Sequence, residues 1–559
     1  MATTDLLTRL RCLFAAGCGV GASLAASVSP ARAQSETSLI PATSALDVRV
    51  GDLRSLVGGL LTSNPDTPRA FTITPSIGLQ ELLTDNVLQR SQARGDLATF
   101  LTPAVTITGN SSRIQANLTY APSFQVYVAT SRQNQVAQNF NGQALITAVP
   151  DLLFLSMRGY ASQQATTGNG GQSSSPILSQ GNRTQTVGFS ASPYIAHRLG
   201  SNGDIKVGYV LDYTQQTGST AYGNNTIQSL TNQNGINTNA FNQTFAGNSS
   251  TVTNQEYVTY TTGENLGRFN DSISLNASQV QGTGVLNNSR RATAINSLGY
   301  GLTRSVALLG SFGYEKISYS GVPPVRISDA VYSAGFRLTP NQNSTVTITY
   351  GHKDGFNAVN ASGSYLVTQR LRVFGNYSEG LTSSQQEIQD NLNSSTVDQY
   401  GNSVDGVTGA PVLISDSVLG LQNNLYRLKR LSASAVLTYD RDLFTLNLIN
   451  EERRVLSVAT GQSANAINSS DRGILSSVSW SHELRPDLSV TSSLQYGNTT
   501  TLTTPNSIQS NVAVHVSTAY AISETLTATA QYYVNSLSSN TRGQSYVQNV
   551  ALVGLRKSF

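Results

Sequence analysis

The stretch RIQANLTYAPSFQVYVA, residues 113–129, alternates apolar and polar side chains almost without interruption. The apolar positions are Ile114, Ala116, Leu118, Tyr120, Pro122, Phe124, Val126 and Val128. Strict alternation over this length predicts a β-strand with one apolar and one polar face, because successive side chains point to opposite sides of a strand. The same pattern recurs in residues 205–213, 431–439, 512–520 and 526–534. The sequence therefore predicts an all-β fold built from long, two-faced strands.

The connections between these strands alternate between short turns and long polar loops. Short turns are predicted at residues 109–112, 150–151, 200–203, 265–268, 339–342, 440–441, 485–487 and 523–524. Loops rich in Asn, Gly, Ser and Thr fall at residues 165–183, 216–250 and 380–425. Short turns at one end and long loops at the other are typical of an outer-membrane β-barrel. Counting from Phe71 predicts about 22 strands, or roughly 18 to 20 if the weakly patterned stretches 284–300 and 354–380 contribute fewer.

We therefore predict a closed antiparallel transmembrane β-barrel over residues 71–559, in the outer membrane of a Gram-negative cell. An even number of strands would leave both termini on the short-turn side, which is the periplasmic side of such barrels. A large soluble β-sandwich, propeller or β-helix would also show alternation. Those folds would not explain the one-sided loop lengths or the scarcity of charge on the apolar faces.

The last strand is expected to close the barrel. In NVALVGLRKSF, residues 549–559, the apolar side chains Val553, Leu555 and Phe559 share one face, and Lys557 interrupts them. Pairing of this strand with the first one would leave the sheet without a free edge. A terminal aromatic preceded by apolar residues also resembles the signal that the barrel-assembly machinery recognises, so we expect that machinery as a partner.

The first 70 residues carry a targeting signal and a short segment ahead of the barrel. Two arginines, an apolar run at residues 13–29 and the small residues of ARA at 31–33 predict a signal peptide over residues 1–33. The following segment, 34–70, is predicted to be periplasmic. Within it, residues 45–62 place apolar side chains at helical spacing opposite charged ones, which predicts a short amphipathic helix. That helix would plug the lumen or lie on its periplasmic side.

Composition excludes several functions. Both cysteines, Cys12 and Cys18, fall in the predicted signal peptide, so the rest of the chain has no disulfide, thiolate metal site or catalytic cysteine. The formal net charge of +4 argues against nucleic acid as a partner. None of the four histidines has a metal-ligand neighbour at helical or strand spacing, so neither a metal nor another cofactor is predicted. These histidines are His197, His352, His482 and His515.

Two charged motifs are candidate functional sites. GHKDG, residues 351–355, puts His352 and Asp354 near a strand tip, as in barrel hydrolases that use an Asp/His pair. No nucleophile motif accompanies this pair, so the protein is predicted not to be an enzyme. EERR, residues 451–454, is a charge cluster at the outer end of a strand. We interpret it as a solvated loop base that holds internal salt bridges rather than as a ligand gate.

The polar strand faces are expected to line the lumen. Candidate lumen-lining residues are Arg113, Arg158, Lys206, Asp212, Glu315 and Arg337. They are scattered among many Ser, Thr, Asn and Gln side chains, which predicts a mixed, nearly neutral surface suited to sugar hydroxyls. The loop 380–425 is long enough to fold inward as a constriction. A siderophore-type transporter would share the strand number but would need a plug domain of well over a hundred residues, whereas about 37 residues separate the predicted cleavage site from Phe71.

The first hairpins resemble a named group of proteins. PSIGLQELLTDNVLQ (75–89), GDLATFLTPAVTITGNSSRIQANLTY (95–120) and LFLSMRGYASQQ (153–164) together resemble the outer-membrane β-barrel porins associated with exopolysaccharide and exosortase (PEP-CTERM) systems. The matching motif residues are Asp85, Asn86, Asp96, Pro103, Arg113 and Tyr120. Beyond about the first hundred residues of the mature chain the likeness is only that of a generic barrel.

The resemblance implies passage or export at the outer membrane beside polysaccharide synthesis. We therefore expect a conduit for polysaccharide or another neutral polar solute. The alternative is a non-conducting structural or assembly barrel that serves a surface-polymer system through its loops. Outer-membrane lipid and lipopolysaccharide are expected partners in either case, and the resemblance adds exopolysaccharide or its export machinery.

Overall fold

The structure, a computed structural model, describes residues 70–165, 176–179, 182–218, 248–397, 403–405, 417–460, 467, 469–501 and 507–559. The predicted signal peptide, the segment 34–69 and the predicted helix at 45–62 lie outside the described residues. Among the residues that the structure describes, no helix is long and apolar enough to cross a membrane.

Most of the described chain is β-strand. The first thirteen strands are β1 (Phe71–Thr84), β2 (Asp96–Asn110), β3 (Ile114–Tyr120), β4 (Ser123–Tyr127), β5 (Gln135–Ala137), β6 (Phe140–Val149), β7 (Leu153–Gln164), β8 (Thr184–Arg198), β9 (Gly203–Gly218), β10 (Asn248–Thr262), β11 (Phe269–Gly282), β12 (Ser289–Gly301) and β13 (Val306–Tyr319). The others are β14 (Val325–Asn341), β15 (Ser344–Lys353), β16 (Phe356–Thr368), β17 (Leu371–Thr382), β18 (Ser395–Val397), β19 (Ser403–Asp405), β20 (Leu425–Tyr439), β21 (Asp442–Ser457), β22 (Ser470–Arg485), β23 (Leu488–Thr501), β24 (Ser507–Ser523), β25 (Leu526–Ser539) and β26 (Tyr546–Ser558). Helix α1 spans Ser384–Ser394, and single 3₁₀ turns lie at Ser131–Gln133, Glu264–Leu266 and Gly284–Leu286.

The sheet closes on itself as a 22-strand antiparallel barrel. Each wall strand pairs with its neighbour in sequence, and β26 pairs with β1, so the wall has no free edge. Strand β4 continues the line of β3 beside β2, and β5 continues that of β6, in unchanged registers, whereas β18 pairs only with β19. The predicted fold class, the strand number and the closing role of the last strand are confirmed.

The register assigns each residue to the lipid or the lumen side. Leu79 of β1 is 50% exposed and lies opposite Leu101 of β2 and Leu555 of β26, all on the outer face. Exposed aromatic side chains flank this apolar band near both ends of the strands: Tyr439, Trp480 and Tyr520 at the short-turn end, and Tyr314, Tyr332 and Tyr496 nearer the other. A closed barrel with an outward apolar band and aromatic girdles has the fold of an outer-membrane β-barrel.

The stretch 113–129 forms one line of the wall in a single register against β2, as its alternation predicts, but with a break within it. Strand β3 ends at Tyr120 and β4 begins at Ser123, and both pair with β2. Pro122 lies at the break, because proline has no N–H to donate to a sheet ladder. The alternation continues across the break, since Tyr120 and Phe124 are both exposed on the outer face.

All eight predicted short turns join wall strands at one end of the barrel. The two weakly patterned stretches, 284–300 and 354–380, contain β12, β16 and most of β17. Phe559 lies at the same end, where its N–H donates to the carbonyl oxygen of Pro75 (2.9 Å). Val553 and Leu555 face outward beside β1, as the alternation predicts.

Candidate functional site in the barrel lumen

The segment between β17 and β20 folds into the barrel instead of extending away from it. Its helix, α1, packs against β7, β8 and β9, which lie around the wall from the strands that anchor the segment. The loop 380–425, which the sequence shows only to be long enough to fold inward, does so over its described residues. Helix α1 and residues 417–424 form a partition inside the lumen, which we call the lumen partition.

Amide and hydroxyl groups attach α1 to the inner face of β10. Thr253 Oγ1 donates to Gln389 Oε1 (3.0 Å), and Gln389 Nε2 donates to Thr251 Oγ1 (3.3 Å). One turn earlier, Gln385 Nε2 donates to Ser249 Oγ (3.2 Å). These contacts are all between neutral groups, and all five side chains are buried, so each hydrogen bond satisfies a group that water does not reach.

A glycine allows the helix to approach the wall closely. Ile388 and Leu392 are buried with Leu421, and they pack against Tyr160 of β7. A Cβ atom on Gly188 of β8 would lie 3.3 Å from Leu392 Cδ2 and 3.8 Å from Ile388 Cγ2. The helix therefore rests on a part of the wall that has no side chain of its own.

Two charged wall residues receive the C-terminal end of α1. Arg158 of β7 donates to the carbonyl oxygens of Leu392 (3.2 Å) and Asn393. A cation is favourable there, because the last carbonyl groups of a helix have no partner within it and carry partial negative charge. Asn393 Nδ2 also donates to Asp212 Oδ2 of β9 (3.1 Å).

A buried charge network fixes the other end of the partition. The guanidinium of Arg453 is fully buried. It donates to the Gly420 carbonyl (2.7 Å), to Ser417 Oγ (2.5 Å) and to Glu387 Oε2 (3.2 Å). Tyr426 places its ring 4.6 Å from this guanidinium and donates its hydroxyl to Glu387 Oε2 (2.6 Å). Arg453 of β21 thus binds both α1 and residues 417–424.

A second cation completes the network. Arg430 Nη2 lies 2.9 Å from Glu387 Oε1 and forms a two-point pair with the buried carboxylate of Glu451. Ser417 Oγ donates to Glu451 Oε2 (2.7 Å). Four charged side chains and the hydroxyl groups of Ser417 and Tyr426 are therefore paired with one another away from water, which makes the loss of any one of them costly.

The motif EERR is divided between the two faces of β21. Glu451 and Arg453 point inward into this network, whereas Glu452 and Arg454 point outward near the long-loop end. The interpretation as internal salt bridges at a loop base therefore fits the inward pair. The cluster is buried beneath the partition, however, rather than solvated.

A separate ion group lies between the partition and β12 to β15. Arg291 pairs with Asp354 and lies 3.9 Å from Glu315, which is fully buried. Asp354 Oδ2 accepts the backbone N–H of Leu381 (3.2 Å), just before α1. Tyr319 donates its hydroxyl to Gln386 Oε1 of α1 (3.2 Å).

The predicted lumen residues fall in three kinds of position. Arg158, Asp212 and Glu315 belong to the contacts just described. Lys206 and Arg337 point into the lumen on exposed positions of β9 and β14, and the Lys206 ammonium lies 4.0 Å from the centre of the Tyr194 ring.

Arg113 differs from the other candidates, because it lies in the exposed turn between β2 and β3 rather than on a strand. The alternation of the strands on either side cannot position a turn residue, and this is why the pattern alone grouped it with the lumen.

His352 does not pair with Asp354. Its ring bonds Asn357 Oδ1 and Asp329 Oδ2 (2.9 Å each) and stacks on Tyr332 with centroids 5.6 Å apart. Asp354 is held by Arg291 instead. Within the described residues, no group of three or more His, Cys, Asp or Glu side chains is placed to hold a metal ion.

Two of the motif residues in the first hairpin bond to the closing strand of the barrel. Asp85 accepts hydrogen bonds from the backbone N–H (2.7 Å) and the side-chain amide (2.6 Å) of Asn549, on β26. Asn86 Nδ2 donates to the carbonyl of Val547 (3.0 Å). Asp96 Oδ1 accepts the N–H of Ala129 beyond β4 (2.8 Å). Asp85 and Asn86 therefore act on barrel closure, whereas Asp96 fixes the chain beyond β4 to the start of β2.

The other motif residues lie further down the strands. Pro103 lies in the part of β2 between its pairing with β4 and its pairing with β3, where no ladder partner on that side requires its N–H. Tyr120 faces outward and donates its hydroxyl to Gln138 Oε1 (2.6 Å).

The chain has no match among protein-family models or among curated proteins. Solved structures with a similar fold include the FrpB iron transporter from Neisseria meningitidis, F5-1 variant (10% identity, 91% of this chain and 84% of that chain covered, TM-score 0.47). Others are the siderophore receptor PirA from Acinetobacter baumannii (8%, 87% and 80%, 0.45) and the ferric-catecholate import receptor Fiu from E. coli K12 (9%, 86% and 81%, 0.46). At these identities and scores the likenesses assign no function to this chain.

Proposed function

We propose that this protein is an outer-membrane channel for neutral polar solutes, narrowed by the lumen partition, with polysaccharide as the solute implied by the resemblance of its first hairpins. The observation that carries this proposal is the chemistry of the lumen wall on the short-turn side of the partition. Strand after strand places a hydroxyl group there, on inward positions: Ser274, Ser297, Ser311, Ser333, Thr347, Ser362, Ser434 and Ser477. Hydroxyl groups both donate and accept, as sugar hydroxyls do.

The inward charges support a neutral solute rather than an ion. A channel selective for ions of one sign needs a ring of charges of the opposite sign. Here the inward charges of the partition region are of both signs and are bound to one another, as in the pairs Arg291–Asp354 and Arg430–Glu451. Lys206 and Arg337 lie on different parts of the wall and do not form a ring.

The orientation of the barrel in the outer membrane, with both ends of the barrel chain on the periplasmic side, belongs to the same proposal. Phe71 and Phe559 lie at the short-turn end, which in outer-membrane barrels faces the periplasm. On that orientation the partition narrows the half of the lumen nearer the cell surface. A solute leaving the periplasm meets the hydroxyl-lined half first and the partition second.

A glycine substitution tests whether the partition limits the channel. Gly188→Leu places a side chain where Leu392 and Ile388 now lie, so α1 has to move away from β8. We expect a higher single-channel conductance than wild type in planar bilayers. Gly299→Leu is the matched control, because Gly299 also points inward but its added Cβ would meet nothing closer than 3.7 Å.

The non-conducting structural barrel is the competing function, and one observation favours it. Loop residues pack into apolar clusters at the long-loop end, such as Val87 and Ile177 with Phe100, and Leu286 with Tyr319. Stable openings of wild type that grow with Gly188→Leu support the channel. The absence of channel openings in wild type and both variants would favour the structural barrel, provided that a heat-dependent shift in gel migration shows all three proteins to be folded.

A further inference from the structure

Three cations stand side by side on the outer surface of the barrel. Arg290, Lys316 and Arg326 lie near the long-loop ends of β12, β13 and β14, and all three are exposed. Ser318 is opposite both Arg290 and Arg326, and Lys316 is the next outward residue along β13. We call these three residues the outer cation triad.

The members of the triad have no counter-charge of their own. Within the part of the chain that the structure describes, none of them forms an ion pair or a side-chain hydrogen bond. Two outward cations elsewhere on the wall differ in this respect, since Arg427 pairs with Glu379 and Arg472 with Glu452 (3.4 Å). The triad therefore places three positive charges close together with no compensating carboxylate in contact.

The triad lies directly above the membrane-facing band. On β13 the outward residues just below Lys316 are Tyr314 and Phe312, which are 52% and 54% exposed. Aromatic side chains of this kind mark the level at which lipid headgroups begin. The three cations therefore extend into the headgroup layer, where they are attracted to the anionic groups of lipids.

We propose that the outer cation triad binds the phosphate groups of a phosphorylated glycolipid in the outer leaflet. Two guanidinium groups can each hold a phosphate through two parallel N–H donors, and the ammonium between them adds a third contact. The lipid is favoured over a free phosphate because the triad faces away from the lumen, on the wall that contacts the bilayer. The site is also one-sided, since outward positions at the same end of β7 to β9 carry the neutral Gln163, Gln185 and Gln215. This proposal does not depend on what passes through the lumen.

Lipid binding by the refolded protein tests the triad. We expect the triple variant Arg290→Gln/Lys316→Gln/Arg326→Gln to bind bisphosphorylated lipid A on the order of 100-fold more weakly than wild type in native mass spectrometry of detergent micelles. Wild type should bind the same lipid without its phosphates as weakly as the triple variant does.

The control removes the same charge from the opposite end. The variant Arg268→Gln/Arg304→Gln/Arg441→Gln changes three exposed arginines in short turns and should keep wild-type affinity. Equal binding by wild type and the triad variant, or an equal loss in the control, would overturn the site. Displacement of the lipid by an equimolar amount of inorganic phosphate would also overturn it, because the site would then be one for free phosphate. A heat-dependent shift in gel migration must show that every variant is folded.

Discussion

Replacing Arg453 with methionine is expected to destabilise the folded protein by about 3–5 kcal/mol, because it removes one member of a buried, mutually paired network. The substitution leaves Glu387 with one cationic partner fewer and leaves the Gly420 carbonyl without its donor. Both effects fall on the lumen partition, so α1 and residues 417–424 should become sensitive to protease. Urea unfolding of protein refolded in lipid vesicles measures the first effect, and limited proteolysis measures the second.

The next residue along the chain provides the control. Arg454→Met makes the same chemical change on the outer face of β21, where Arg454 is exposed, and should change stability by well under 1 kcal/mol. The double variant Arg453→Met/Glu387→Gln should recover part of the loss, since it removes both charges of the pair. Equal effects of Arg453→Met and Arg454→Met would show that the inward network contributes nothing.

Arginine at Leu118 is expected to cost about 2–4 kcal/mol, because this side chain faces the lipid in the apolar band. The register supports that placement, since Leu118 lies opposite Ile107 of β2 on the same face as the exposed Val105 and Tyr120. Arginine at Leu437, which is outward and 37% exposed on β20, should behave similarly. The measurement is the shift of the urea midpoint in vesicles.

The neighbouring inward positions are the matched controls. Asn117→Arg and Thr438→Arg introduce the same group one residue away, on the lumen side, where water can hydrate it. Both should unfold close to wild type. Equal destabilisation at inward and outward positions would contradict the assignment of the two faces, and with it the membrane placement of the barrel.

The wall could be predicted from the sequence because its signal is local. In a strand with lipid on one side and water on the other, apolar and polar residues alternate. On β9, for example, the polar Lys206 and Asp212 lie between apolar neighbours. The short turns and the closing strand could be predicted from the same two-residue alternation, because it shows where each strand begins and ends. The break at Pro122 was also visible as a proline, but strict alternation on both sides of it concealed the interruption.

The partition could be predicted only as a loop long enough to fold inward. What holds it depends on contacts between distant residues, such as Arg453 with Glu387, 66 positions apart. The helix itself is mostly polar, with Ile388 and Leu392 as its main apolar contacts, so its sequence resembles an exposed loop. The role of Asp85 was similarly hidden, because its partner Asn549 is 464 positions away.

Permeation of neutral sugars tests the central claim most directly. The variant for this measurement replaces residues 384–422 with a short Gly-Ser linker, which is feasible because Thr382 and Tyr426 are directly paired at the ends of β17 and β20. In liposome swelling with sugars of increasing size, wild type should admit small sugars and exclude larger ones, and the variant should admit the larger sugars as well. No swelling with any sugar for either protein, or the same size limit for both, would contradict a channel narrowed by the lumen partition.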